Sequence, residues 1–289
     1  MLKKNIIRYV LFLIPPVFVA FFLIVPLAFT IVISFWERAG FRVRPAFTLN
    51  SYIDFFSGVR LLVLERSFLV SVEATIISLL IAYPIAYFLA ARVRTALGRN
   101  VLLLFTIPFL VNYIIRTFSW TYLLGRTGPV NEVLVNLGLA SSPLDWLLYS
   151  DFAVLLGLVT SYMPFMIFPL WLSLSRIDPQ MIEASWLLGA NPVRSFLKIT
   201  LPLSVPGIFA SVIFGFVGCF GESAVPIILG GVGYQLMGNT ITSAMDVLNY
   251  PLAAAMSSVV VGAMVLLLLL WYFAFDMRSF LGKILSWKV

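Results

Sequence analysis

Histidine is absent from the 289 residues and cysteine occurs once, at Cys219. Without them the chain has no disulfide framework, no Cys/His zinc cluster and no Ser-His or Cys-His nucleophile pair. Neither a GxxxxGK(S/T) phosphate loop nor a GxGxxG turn occurs, so the chain has no nucleotide cradle of its own and its work must draw energy from elsewhere. Charge is scarce as well: 11% of residues are charged, where roughly 25% is usual in a soluble domain. The Lys and Arg residues are spread in small groups, so the net charge of +7 does not mark a nucleic-acid surface.

What is abundant is apolar surface. Hydrophobic residues make up 62% of the chain and the mean hydropathy is +1.06, which makes a bilayer the solvent for most of it. A hydrocarbon core about 30 Å thick needs about 20 apolar residues per helix, and stretches of that kind lie at 10–35, 68–91, 101–124, 152–175, 203–229 and 252–275. The expectation is an all-α membrane protein of six transmembrane helices, because lipid offers backbone groups no partner and no ten-residue alternation suggests a barrel. Residues 9–36 carry no charge, too long a run for a signal-peptide core, so they read as a retained first span.

Orientation follows from the cations, which short cytoplasmic loops accumulate. With the N-terminus inside, Lys3, Lys4, Arg8, Arg92, Arg94, Arg99, Arg176, Arg194, Lys198, Arg278, Lys283 and Lys288 are cytoplasmic. Fewer lie outside: Arg38, Arg42, Arg44, Arg60, Arg66 and Arg126. Both termini are therefore expected in the cytoplasm. Residues 1–9 and 276–289 are read as tails around a permease domain at 10–275.

Between spans four and five the chain is punctuated as two short helices. Asp178 can cap, Pro179 opens the first helix and Gly189 closes it near Leu188; Asn191-Pro192 repeats the start signal and Pro202 limits the second helix. Met181, Ala184, Ser185 and Leu188 share a face of the first helix, and such a face wants a partner groove.

Glu183-Ala184-Ser185, Gly189 six positions after the Glu, and Ile199-Thr200-Leu201-Pro202 resemble the EAA-x3-G-x9-I-x-L-P motif of the transmembrane subunits of bacterial binding-protein-dependent ABC importers. Ser185 in place of the second Ala is the one departure. The resemblance implies that residues 178–202 form a cytoplasmic coupling-helix hairpin docking on a separate ATPase, with Glu183, Ala184, Ser185, Gly189, Ile199, Leu201 and Pro202 as the ATPase-coupling residues. Pro108-Phe109 with Arg116 and Trp120, Gly128-Pro129-Val130-Asn131-Glu132, and Gly221-Glu222 to Gly230-Gly231 resemble spermidine/putrescine-type permeases, although importers of sulfate, iron or organophosphonates share parts of them. It further implies a cytoplasmic ATPase dimer carrying ATP and Mg, an extracytoplasmic solute-binding protein, and a second homologous permease, a heterodimer in polyamine-type systems. The chain itself is expected to bind no cofactor or metal, to catalyse no reaction, and to lie in the bacterial inner membrane. A self-sufficient secondary transporter is the alternative, and neither a duplicated half nor a chain of acids supports it.

Three charges fall inside spans, where insertion costs about 2.5 to 3.5 kcal/mol. Glu73 and Arg116 both lie on the order of 10 Å deep and can form one ion pair, either a clamp between helices or part of a substrate route. Glu222 follows Gly215, Gly218 and Gly221 and precedes Pro226, which is expected to break the helix. Broken helices with a polar residue at the break mark translocation sites, and an acid there favours a cationic substrate; the alternative is a solvated end of the span. Trp120, Tyr122, Tyr162 and Trp171 are candidates for a cation-holding surface, since aromatic faces attract ammonium groups.

Overall fold

The computed structural model describes residues 2–40, 42–92 and 111–274. The first part of the third expected span, with Pro108-Phe109, and the C-terminal tail lie outside these residues. The chain divides into two compact units, Met1–Leu62 with Thr240–Val289, and Val63–Asn239.

The first unit holds α1 (Leu2–Ser34), a hairpin of β1 (Glu37–Ala39) and β2 (Arg42–Arg44), α2 (Asn50–Phe56) and α12 (Tyr250–Ala274). The strands are antiparallel with Arg38 opposite Val43, and Arg38 Nη2 donates to Val247 O at 2.8 Å. Ser34 Oγ meets Tyr52 Oη at 2.7 Å, and the Phe35 ring stacks on Phe47 with centroids 5.0 Å apart. Val17 to Val19 and Phe21 to Val25 on α1 stay exposed, as on an apolar lipid-facing helix. The hairpin was not legible in the sequence, because three-residue strands rich in Arg carry no apolar alternation.

The second unit begins within α3 (Arg60–Arg92) and continues through α4 (Tyr113–Leu124), α5 (Pro129–Asn136), α6 (Asp151–Leu174), α7 (Pro179–Leu187), α8 (Pro192–Ser195), a π turn (Phe196–Thr200), α9 (Leu201–Gly221) and α10 (Ala224–Leu229). It ends within α11 (Met237–Asp246). Five helices among the described residues are long and apolar enough to cross a membrane: those beginning at Pro15, Arg60, Asp145, Pro192 and Tyr250.

The centre of this unit is the antiparallel pair α6 and α9. A Cβ added at Gly218 would strike the Tyr162 ring, one at Gly215 the Met166 sulfur, and one at Gly207 Ser173 and the Pro169 carbonyl. The glycines thus form a groove that receives Tyr162, Met166 and Ser173. Ser211, on the same face, reaches across to Met166 O at 2.7 Å. Small residues matter here because lipid tails are as apolar as side chains, so helices associate through close packing and such hydrogen bonds. Gly221 meets nothing within 4 Å and belongs to the break rather than to the groove.

One proline expectation changes and one holds. Pro202 does not end a helix: α8 runs through the π turn into α9, and Leu201 N–H reaches Phe196 O. The extra residue in that turn shifts the hydrogen-bond ladder where the proline ring would collide with the carbonyl four residues back. Pro226 does break the span, as expected, but upstream of its own position. It sits in the first turn of α10, where its missing N–H has no helical partner to lose, and the chain opens four residues earlier at Glu222, whose carbonyl the ring excludes.

Gly218→Val puts a branched side chain where the Tyr162 ring packs. We expect a loss of roughly 1 to 3 kcal/mol, the usual scale of overpacking, read as a lower thermal midpoint of the purified protein in detergent.

Candidate functional site

The break after α9 exposes backbone that a buried carboxylate satisfies. Glu222 is the C-cap of α9 in extended conformation and is only 7% exposed. Its Oε2 accepts from the Tyr162 hydroxyl at 2.6 Å, while Oε1 accepts from Ala224 N at 2.8 Å and Val225 N at 3.4 Å, the first amides of α10. Gly218 makes room for the Tyr162 ring, and a Cβ at Gly238 would overlap the Glu222 carbonyl. The carboxylate is therefore buried and held on both oxygens, unlike a solvated span end. Its partners are neutral donors, and among the described residues no Lys or Arg forms an ion pair with it.

A second polar cluster joins the N-terminal ends of α3 and α6 to the loop after α10. Arg66 Nη2 and the Tyr234 hydroxyl both donate to Asp151 Oδ1, at 2.8 and 2.7 Å, and the Arg66 guanidinium lies 4.3 Å from the Tyr234 ring centroid. Burial, and then the bond to Asp151, raise the Tyr234 hydroxyl above its ordinary pKa, so it remains a proton donor. Asn239 fixes the same loop through Tyr234 O and Leu236 N, and Met237 N donates to Ser67 Oγ at 2.7 Å. Asn131, 1% exposed, ties α5 to Leu144 N and to the carbonyl of Gly125.

Up to Pro192 the segment between α6 and α9 has the punctuation its sequence suggests. Asp178 caps Gln180 N at 3.0 Å and Asn191 caps Arg194 N at 2.8 Å, with Pro179 and Pro192 as the first helical residues. Gly189 has φ of +82°; its N–H reaches Trp186 O and that of Ala190 reaches Ser185 O. These paired bonds close a helix C-terminus around a left-handed glycine. No residue of α7 is buried: Glu183 and Ala184 are exposed, and Leu187 and Leu188 are each 90% exposed. Ser185 Oγ and Ser195 Oγ lie 2.6 Å apart. Ile199 and Leu201 are half-buried and Pro202 is exposed.

The remaining sequence candidates do not gather into one surface. Trp120 and Tyr162 pack on the same core as Cys219, Val225 and Leu229, but Trp171 packs on a different one with Ala82, Ala86 and Met166, and Tyr122 is 71% exposed. Glu73 is exposed and Arg116 half-buried. The ion pairs formed among the described residues are Arg66–Asp151 and Arg126–Asp145 rather than Glu73–Arg116. Depth fixes a residue's height along a helix but not the direction it faces, and Glu73 faces away from the buried Ala74, Thr75 and Ser78.

Apolar spanning helices, one of them broken at a buried carboxylate, define a membrane-embedded transport component. Residues 74–279 match the family model described as binding-protein-dependent transport system inner membrane component, and the chain belongs to that family. It is 34% identical over 272 residues to the spermidine/putrescine transport system permease protein PotB of Haemophilus influenzae, covering 93% of this chain and 92% of that protein. With PotB of Escherichia coli it shares 32% identity over 234 residues, 80% of this chain and 83% of the relative. Its fold is similar to a chain of a bacterial alginate ABC transporter solved in complex with an alginate pentasaccharide-bound periplasmic protein, with a TM-score of 0.70, 15% identity, and coverage of 92% and 93%.

Tyr162→Phe removes one of the donors to Glu222 while keeping the ring in its glycine groove. A buried acceptor left short of a partner costs about 1 to 3 kcal/mol, so thermal unfolding of the purified protein should shift to lower temperature, with Tyr122→Phe, on an exposed side chain, as the hydroxyl-deletion control.

Proposed function

We propose that this chain is a membrane subunit of a polyamine ABC importer in the bacterial inner membrane, moving a small cationic solute by alternating access. Identity of 34% and 32% to spermidine/putrescine permeases over most of the chain supports the solute class. The observation that carries it is Glu222: a buried carboxylate at a broken span, supported by hydrogen-bond donors and with no counter-cation among the described residues. Where water is excluded, one such charge attracts an ammonium group far more strongly than it would in solution. Tyr162 holds that carboxylate and supplies an aromatic wall beside it; Trp120, packed on the same core, extends the apolar side of the route. Tyr122, exposed, and Trp171, on a separate core, lie apart from that wall.

In the same proposal residues 178–202 are the coupling segment. The exposed apolar residues of α7, with Leu188 beside Gly189, dock in a groove of a cytoplasmic ATPase dimer that holds ATP and Mg. ATPase closure pushes α7, and the push passes through α8 and the π turn into α9, whose far end is the break at Glu222. A second, homologous permease completes the channel as a heterodimer, and an extracytoplasmic solute-binding protein delivers the substrate. Both termini then face the cytoplasm, and Arg66, Asp151 and Tyr234 fix the outer ends of α3 and α6.

Gly189→Asp tests the coupling role. A side chain at φ of +82° is strained by about 1 to 3 kcal/mol, and the carboxylate falls beside Leu188. The complete transporter should then lose substrate-stimulated ATP hydrolysis while remaining assembled; wild-type stimulation removes the role. For selectivity, Glu222→Gln keeps the shape and one acceptor oxygen for the α10 amides, but it deletes the charge and turns the other oxygen into an NH2 donor facing the Tyr162 hydroxyl. Uptake of radiolabelled spermidine should fall several-fold, and unchanged uptake would exclude Glu222 from the route.

A further inference from the structure

The coupling motif that the chain resembles has alanine where this chain has Ser185, and the structure gives that hydroxyl a partner. Ser185 lies on α7 and Ser195 at the end of α8, and their Oγ atoms are 2.6 Å apart. Ser195 is 3% exposed. Ser185 Oγ also lies 2.7 Å from Ile182 O, and Ser195 Oγ lies 3.2 Å from Asn191 O. Each hydroxyl has one proton, so the shorter contacts select one arrangement: Ser185 donates to Ile182 O, and Ser195 donates to the Ser185 oxygen.

That bond has a mechanical setting. No residue of α7 is buried, and the link from α7 to α8 is Leu188 to Asn191, including a glycine at φ of +82°. Among the described residues, the serine pair is the side-chain hydrogen bond that joins the two helices. α8 in turn is continuous, through the π turn, with the membrane-spanning α9. A force applied to the exposed face of α7 reaches α9 either through the connecting backbone or through this pair.

We infer that Ser185 and Ser195 are positioning residues that lock α7 at a fixed angle to α8, so that displacement of α7 by the ATPase moves α9 instead of being absorbed at Gly189. This rests on the coupling role proposed for residues 178–202 and adds to it a residue outside the family motif, Ser195, paired with the one position at which this chain departs from that motif. With alanine at 185 the lock is absent, and Ser195 keeps only its local bond to Asn191 O.

The test uses the complete transporter, with its ATPase, second permease and binding protein, in proteoliposomes, reading spermidine transported per ATP hydrolysed together with the amount of assembled complex. Ser185→Ala and Ser195→Ala should each lower that ratio by about three-fold, the scale of one hydrogen bond. The double variant should lose no more than either single one, because both delete the same interaction, and Ser185→Thr, which keeps the hydroxyl, should retain the ratio. Unchanged ratios, losses that add in the double variant, or loss of assembled complex with a normal ratio in the remainder would overturn the lock. Gly189→Asp in the same assay separates the two ideas. If it uncouples while the serine variants do not, the lock fails and the coupling segment stands; if neither uncouples, both fail.

Discussion

Close approach of α6 and α9 is the constraint on which the larger unit depends. A bilayer gives two apolar helices little reason to prefer each other over lipid, so contact must come from shape and from hydrogen bonds that lipid cannot supply. Gly207, Gly215 and Gly218 remove the side chains that would hold the helices apart, and Ser211 closes a hydrogen bond to the Met166 carbonyl. Once the helices are this near, Tyr162 has one place to put its ring, over Gly218, and its hydroxyl falls on Glu222. A packing solution thereby fixes the chemistry of the candidate substrate route.

The break at Glu222 shows how a local defect becomes a site. Pro226 cannot accept a helical neighbour four residues back, so the chain leaves α9 and restarts as α10. Freed amides inside a membrane protein must find partners, and the Glu222 carboxylate meets those of Ala224 and Val225. These amide bonds and the Tyr162 hydroxyl hold the carboxylate, and among the described residues no Lys or Arg pairs with it.

At the opposite end of α9 the demands differ. The π turn carries the chain past Pro202 without stopping the helix, so α8 and α9 form one continuous lever rather than a hairpin arm loosely joined to a span. α7, with Leu187 and Leu188 in the open, has no core of its own within this chain. Its order comes from its caps, from the left-handed closure at Gly189 and from the serine pair, all of them short-range devices.

The amino-acid sequence by itself determined five of the apolar spans and the helix punctuation from Asp178 to Pro192, because both rest on local signals: run length against bilayer thickness, Asp-Pro and Asn-Pro helix starts, a glycine where the backbone turns left-handed. It also singled out Glu222, since a charge in an apolar run is conspicuous at any distance from its partners. The tertiary structure alone decided who those partners are. Tyr162 and Glu222 are 60 residues apart, and Arg66 and Asp151 are 85 apart; no spacing rule joins residues on different helices. Matching Glu73 to Arg116 by depth illustrates the limit: the rise per residue gives height, but rotation about the helix axis is set by which face packs. On α3 that face carries Ala74, Thr75 and Ser78, and it leaves Glu73 outside.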